Sequence, residues 1–232
     1  MEKVSVILPA AGAGRRFGAG RNKIYQHLAG EAVFLRSLAR FAGRADVVQL
    51  QLVVAPAERA EMARRFAAPL QRLGAELVEG GPSRPESVRN ALAHVRADAT
   101  LVCVHDAVRP CVAGEWIDRV FAAAAETGAA LLAYPVRGTL KSVGDDAVIA
   151  ETVPRAGLWE AQTPQVFAPD LLRRAYEGPL EDVTDDAQLV EALGHPVRVV
   201  LGDPRNLKIT SPGDLALAEA ILQTLPGARP GS

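Results

Sequence analysis

Cysteine is nearly absent from the 232-residue chain: Cys103 and Cys111 are the only two. Two thiols without ligand-like spacing support neither a disulfide framework nor a zinc site. Stability therefore has to come from a core, and a chain of this length can bury about 70% of its unfolded surface without a staple. No charge of one sign dominates. The formal net charge is −1, which excludes a broad basic surface for nucleic acid. Long apolar runs are missing as well. The longest candidate, 120–136, is broken by Glu126 and Gly128, and the run before Pro9 is too short for a signal peptide. The expectation is a soluble, cytoplasmic protein with no membrane and no nucleic-acid partner. Lysine is also scarce: Lys3, Lys23, Lys141 and Lys208 are four among 26 basic residues. Arginine and lysine interchange on solvated faces, whereas a compact ammonium suits particular chemistry, so the retained lysines are candidates.

What the chain does have is 49% hydrophobic and 23% charged residues, the balance of a globular protein. Short apolar runs alternate with helical spacing. Strands are predicted at 4–8, 47–54, 76–78, 100–104 and 129–134, with helices at 32–41, 57–73, 86–95 and 115–126 between them. That order predicts an α/β, Rossmann-like fold with a mostly parallel central sheet and helices on both faces. Segments 139–143 and 148–153 flank Gly144-Asp-Asp146 and predict a protruding β-hairpin arm. Beyond it the pattern predicts a strand at 165–168 and helices at 170–176 and 185–193, the second capped by Thr184. A late strand is expected at 197–200, then a final helix opened by Ser211-Pro212. We expect a single domain over 1–225, with an arm at about 137–156 and a frayed tail over 226–232.

Three motifs carry chemistry. The first, Pro9-Ala-Ala-Gly12-Ala-Gly14-Arg-Arg16-Phe-Gly18, follows the first strand. Small residues let backbone N–H groups approach a phosphate, and arginines neutralise its oxygens. A dinucleotide fingerprint fails because Phe17 stands where a third glycine belongs, and no G-K-[ST] completes a P-loop. A nucleotidyltransferase loop fits best, beside the bland alternative of a plain βα loop. Lys23 follows closely and can reach the same phosphates. The second motif, Gly80-Gly-Pro-Ser-Arg84-Pro-Glu-Ser87-Val, offers backbone donors and acceptors for a base edge, or simply a turn and a helix cap. The third, His105-Asp106-Ala-Val-Arg109-Pro110, closes the fourth strand, where open α/β sheets bind ligands. Asp106 suits Mg²⁺ carrying a triphosphate, or else forms an ion pair with Arg109. His105 reads as a packed histidine, and both cysteines as structural.

These motifs, together with Thr152-Val-Pro-Arg155, Thr163-Pro-Gln165, Thr184-Asp-Asp186-Ala and Asn206-Leu-Lys208-Ile-Thr210, resemble one family over nearly the whole chain: the 2-C-methyl-D-erythritol 4-phosphate cytidylyltransferases of non-mevalonate isoprenoid synthesis. The resemblance implies transfer of a cytidylyl group from CTP to that phosphate, with Mg²⁺ or another divalent metal. It assigns Arg16 and Lys23 to charge at the α-phosphate, and Ala10, Ala11, Gly12 and Gly14 to the CTP site. Gly81 and Ser87 would select cytosine, and Asp106 would meet the metal. Thr139 and Arg155, on the arm, would hold the acceptor in a partner's site, making a homodimer with exchanged arms and shared active sites. Lys208 would position substrate, with Arg109, Thr163 and Thr184 nearby. The chain departs from the family at Asn22 and Ile24 around the lysine, at Pro82 in the cytosine loop, and at Gly138 and Pro154 on the arm. Three other readings remain: a cytidylyltransferase for another polyol phosphate such as ribitol 5-phosphate, a sugar-phosphate or cofactor nucleotidyltransferase using another base, and a nucleotide-binding protein without turnover.

Overall fold

The computed structural model describes residues 1–12 and 23–225. Strand β1 (Val4–Pro9) opens the chain. A 3-10 turn at Lys23–Tyr25 leads to the short strands β2 (His27–Leu28) and β3 (Glu31–Ala32) and to helix α1 (Val33–Ala39). The alternation continues through β4 (Val47–Val54), α2 (Pro56–Arg65), α3 (Ala67–Leu73), β5 (Ala75–Glu79), α4 (Arg84–Leu92), β6 (Leu101–Val104), α5 (Gly114–Thr127) and β7 (Ala129–Pro135). The last third holds β8 (Leu140–Val143), β9 (Ile149–Val153), β10 (Trp159–Phe167), α6 (Pro169–Ala175), α7 (Asp186–Ala192), β11 (Arg198–Leu201) and α8 (Gly213–Leu222).

Seven strands form the main sheet in the order β11-β7-β10-β6-β1-β4-β5. Neighbours run parallel except on either side of β10, which is antiparallel to both β6 and β7. Successive side chains of a strand face opposite sides, so a doubly covered sheet reads as an unbroken apolar run. Val4, Val6 and Leu8 of β1 join Leu52, Cys103, Ile117 and Val120 on one face. Ile7 joins Val53, Val104, Val88, Leu172 and Val190 on the other. Helices thus cover both faces, as the alternation predicts. Topology reverses between β1 and β6: β4 and β5 lie to one side of β1, and β6 begins the other. A crevice at the carboxyl ends of such a pair is where α/β sheets bind ligands. Among the described residues no helix is long and apolar enough to cross a membrane.

Local chemistry explains where the elements depart from expectation. The helix predicted over 57–73 breaks at Phe66, whose φ of −117° and ψ of 19° leave the helical region. Inside a helix the Pro69 ring would strike the carbonyl four residues earlier, so α3 starts afresh with Pro69 in its first turn. The strand predicted at 165–168 is the end of a longer one. Pro164 hides it by reading as a breaker, yet sits in an irregularity where pairing with β7 shifts between Ala161 and Gln165. Thr184 does not cap α7; the Asp185 carboxylate does, accepting from the Gln188 N–H at 3.0 Å. Nor does Ser211 cap α8. Pro212 holds that position, while Asp214 accepts from the Thr210 and Ser211 N–H groups at 2.7 and 2.8 Å. The β2–β3 hairpin is not among the predicted elements, because its turn is Ala29-Gly30, both at positive φ, without the usual Asn-Gly or Asp-Gly signal.

The arm forms its own two-stranded sheet, β8–β9. Its apolar side chains Val143, Val148 and Ile149 are 53%, 61% and 57% exposed. Gly14, Arg16 and the expected tail over 226–232 lie outside the described residues.

Candidate active site

Three strand ends meet at the crevice. The ladder continues one residue past β1, where the Ala10 N–H donates to the Val53 carbonyl at 2.7 Å. It continues past β5, where the Gly80 N–H donates to the Val54 carbonyl at 2.8 Å, and past β6, where the His105 N–H donates to the Ile7 carbonyl at 2.9 Å. Ala10, Gly80 and His105 therefore share one edge.

Gly80 and Gly81 are required by close approach. A Cβ on Gly80 would lie 2.8 Å from the Ala11 Cβ and 2.7 Å from the Ser87 Oγ; one on Gly81 would lie 2.6 Å from the Glu86 Cβ. Ser83 and Glu86 form a capping box that starts α4. The Ser87 hydroxyl is buried inside this turn. It accepts from the Gly81 N–H at 3.1 Å and donates to the Ser83 carbonyl at 2.8 Å. Of its two sequence readings, the turn and cap is the one these bonds describe.

Asp106 is the centre of charge. It is 6% exposed and is met by three cations. Lys208 Nζ lies 2.8 Å from Oδ2, Arg84 Nε 3.3 Å from Oδ1, and Arg109 Nε 3.6 Å from Oδ2. Burial pushes the carboxyl up, but Arg84, Lys208 and Arg109 reverse this and hold it far below the usual carboxylate range. The Asp106 N–H donates to the Thr163 hydroxyl at 3.1 Å. Arg109 is anchored by donating to the Asn206 carbonyl at 2.7 Å, and Asn206 donates to the Thr163 carbonyl at 2.8 Å. Arg109 Nε and Asn206 Oδ1 have no hydrogen-bond partner although buried.

His105 is fully buried and both ring nitrogens are committed. Nε2 lies 3.0 Å from the Arg109 carbonyl, which can only accept, so Nε2 carries the proton. Nδ1 then accepts from the Thr163 hydroxyl at 3.1 Å. Desolvation lowers its pKa to about 4. The imidazole is neutral, buried and hydrogen-bonded through both ring nitrogens, the packed histidine that the sequence reading expects.

Beyond the expected residues, the structure adds Arg84 and Asp186. Arg84 is the first residue of α4 and Asp186 the first of α7. Two guanidinium nitrogens reach the two Asp186 oxygens at 3.2 and 2.8 Å. Asp186 is wholly buried and also accepts from the Tyr176 hydroxyl. Burial alone would lower the Arg84 guanidinium, but Asp186 and Asp106 more than offset it. Both residues stand inside sequence motifs, yet a pairing 102 positions apart leaves no local trace. Asp106, Arg109, Thr163 and Lys208 are thus in one cluster, and Gly81 and Ser87 adjoin it through Arg84. Ala11 meets the glycine turn, while Gly12 is exposed. Thr184 is exposed two residues before Asp186, its hydroxyl donating to Gln188 at 3.0 Å. Among the described residues no hydrogen bond or ion pair joins Thr139 or Arg155 to the cluster; both are exposed, and Arg155 donates to the Arg137 carbonyl at the base of the arm. The backbone of Lys23 is placed by the turn that buries Ile24.

Among the described residues no group of three or more acidic, histidine or cysteine side chains gathers to hold a metal. One carboxylate under three cations does not suit a resident metal. A divalent cation there would depend on substrate phosphate and water for the rest of its shell.

An open, doubly covered α/β sheet with surplus positive charge at its switch point defines a protein that handles phosphate-bearing nucleotides. Sequence comparison narrows this class. The chain belongs to the IspD family, 2-C-methyl-D-erythritol 4-phosphate cytidylyltransferase, whose profile matches residues 4–224. It is 47% identical to the protein of that name from Rhodopirellula baltica over 231 residues, covering 94% of each chain. The Symbiobacterium thermophilum protein of the same name is 42% identical, over 95% of this chain and 93% of its own. The crystal structure of the Thermus thermophilus cytidylyltransferase superposes with a TM-score of 0.77 at 37% identity, over 94% of this chain and 98% of that one.

Proposed function

We propose that this chain transfers the cytidylyl group of CTP to 2-C-methyl-D-erythritol 4-phosphate, releasing pyrophosphate. The observation that carries the reading is the buried carboxylate under three cations at the switch point, in a chain of this family. The acceptor phosphate attacks the α-phosphorus, and pyrophosphate leaves. A phosphate monoester has a second pKa of about 6, so the nucleophile arrives ionised and needs no base from the protein. The obstacle is repulsion between two anions. Arg109 and Lys208, with Arg16 and Lys23 on the glycine-rich loop, offset it, and preorganised electrostatics of this kind is usually the largest catalytic contribution. Asp106 would hold Mg²⁺, which supplies charge neutralisation on the triphosphate when bound. Ala10, Ala11, Gly12 and Gly14 would line the CTP site. Gly81 and Ser87 shape the turn that reads cytosine, and Thr163 and Thr184 flank the acceptor.

The exposed apolar side chains of the arm support a homodimer in which each arm enters the partner's site, bringing Thr139 and Arg155 to the partner's acceptor. The chain folds as one domain over 1–225 and works in the cytoplasm. The test is pyrophosphate release from CTP with Mg²⁺, using 2-C-methyl-D-erythritol 4-phosphate and ribitol 5-phosphate as parallel acceptors. Turnover with the first alone is expected. Turnover with ribitol phosphate would replace the acceptor, and CTP binding without turnover on either would make this a binding protein.

A further inference from the structure

Helix α1 is held at each end by a stretch that carries a cation of the proposed reaction. At its C-terminal end, Ser37, Arg40 and Phe41 have the spacing of one helical face and meet the loop 105–110 that carries Asp106 and Arg109. Ser37 is fully buried, and its one proton goes to the Ala107 carbonyl at 2.8 Å; the Val33 carbonyl of its own helix is farther off at 3.3 Å. A buried hydroxyl is tolerated where it finds a partner, and this one finds it in the loop. Arg40 Nε donates to the Pro110 carbonyl at 3.0 Å, and the Phe41 ring lies 5.0 Å from that of His105. At the start of α1, the Val33 N–H donates to the Gln26 carbonyl at 2.9 Å, and Phe34 meets Tyr25 edge-on with ring centroids 6.2 Å apart. Tyr25 closes the turn that begins at Lys23. Its ring also stacks on Phe66 at 6.0 Å, where α2 gives way to α3, and Phe66 meets Phe34 edge-on at 4.9 Å. The intervening β2–β3 hairpin is tied to the same helix, because Arg36 donates to the Leu28 and Ala29 carbonyls. The helix itself has seven residues and is about 10 Å long.

We propose that α1 is a strut that sets the distance between Lys23 and Arg109, with Tyr25 and Ser37 as the positioning residues at its two ends. This inference rests on the cytidylyltransferase reading, in which those two cations offset the repulsion between the anions, and extends it to residues that act through them. A fixed charge stabilises a transition state only where the new charge develops. A misplacement of about 1 Å can cost about 10²-fold in rate, even when its cause is remote from the chemistry.

The experiment measures kcat for pyrophosphate release in Ser37→Ala, alone and combined with Lys23→Ala, well below the melting temperature of each variant. Ser37→Ala should lower kcat about tenfold or more. In the Lys23→Ala background the same change should cost about twofold or less, because the distance it disturbs no longer ends on a cation. Tyr25→Ala should show the same coupling from the other end, and it decides the matter if Ser37→Ala does not fold. Tyr25→Phe keeps the ring and should stay within about twofold of wild type. A purely structural Ser37 would lower the melting temperature, and its loss of kcat would multiply with that of Lys23→Ala; that result would overturn the proposal. Lys23→Ala at wild-type kcat would overturn the parent reading of Lys23 and the strut with it. A large loss in Lys23→Ala, with Ser37→Ala and Tyr25→Ala both at wild-type kcat, would overturn the strut alone.

Discussion

Asp106 and His105 are neighbours with opposite tasks, and the difference lies in their partners. Asp106 gathers Lys208, Arg84 and Arg109, so its charge is kept at any ordinary pH. His105 finds a carbonyl and a hydroxyl and stays neutral. Its folded pKa of about 4 lies below the unfolded value near 6.5. Between these values the unfolded chain binds a proton that the folded chain does not, so stability rises with pH across that window. For the metal-free protein, the His105 contribution seen in urea denaturation should fall by about 1.5 kcal/mol between pH 6.5 and 5. His105→Gln should flatten most of that slope; an equal slope in the variant would contradict the assignment. At the same scale, Arg16→Ala or Lys23→Ala should each lower kcat by about 10²–10³, the usual loss for one preorganised donor. Near-wild-type turnover in a single-turnover assay would remove either residue from the chemistry.

The elements were legible where one physical cue decided them. The strand expected at 47–54 is found at those bounds because its apolar run stops at a proline. The alternation points to the two-faced sheet, and the turn residues at 144–146 point to the arm. Segments with competing cues mislead: Pro69 splits a helix that periodicity alone joins, and Pro164 hides the start of a strand that tolerates it at an irregularity. The glycine turn before α4 is an element with no slack. Gly81→Ala would press a Cβ to 2.6 Å from the Glu86 Cβ, and should cost about 1–3 kcal/mol of stability while weakening CTP binding. Urea titration and CTP calorimetry check both, and unchanged values would mean the turn relaxes freely. The arm makes a different prediction. Replacing Val143, Val148 and Ile149 with serine should yield a monomer by analytical ultracentrifugation, with CTP affinity kept and turnover lost. Full activity as a monomer would separate the arm from catalysis.

At the scale of the whole molecule, a mostly parallel sheet brings loops from residues about 10, 80, 106 and 208 to one edge. Sequence motifs named most groups at that edge: Asp106, Arg109, Thr163 and Lys208 are in contact as a cluster. What they could not reveal was the scaffold behind them, because Arg84 at the start of α4 meets Asp186 only across 102 positions, and Tyr176 reaches the same carboxylate from beyond α6. Nor could Thr163 be seen as a buttress of Asp106 and His105, since that needs β10 to lie beside β6. The assembled edge gathers Arg84, Arg109 and Lys208 around Asp106, and under the proposed function rate acceleration falls to charge neutralisation. That claim is tested most directly by the pH dependence of kcat/KM for the acceptor, in wild type and in His105→Gln. The account predicts that both rise through the acceptor's second phosphate ionisation near pH 6 and then stay level. An ascending limb that disappears in His105→Gln would put the base on the protein and contradict it.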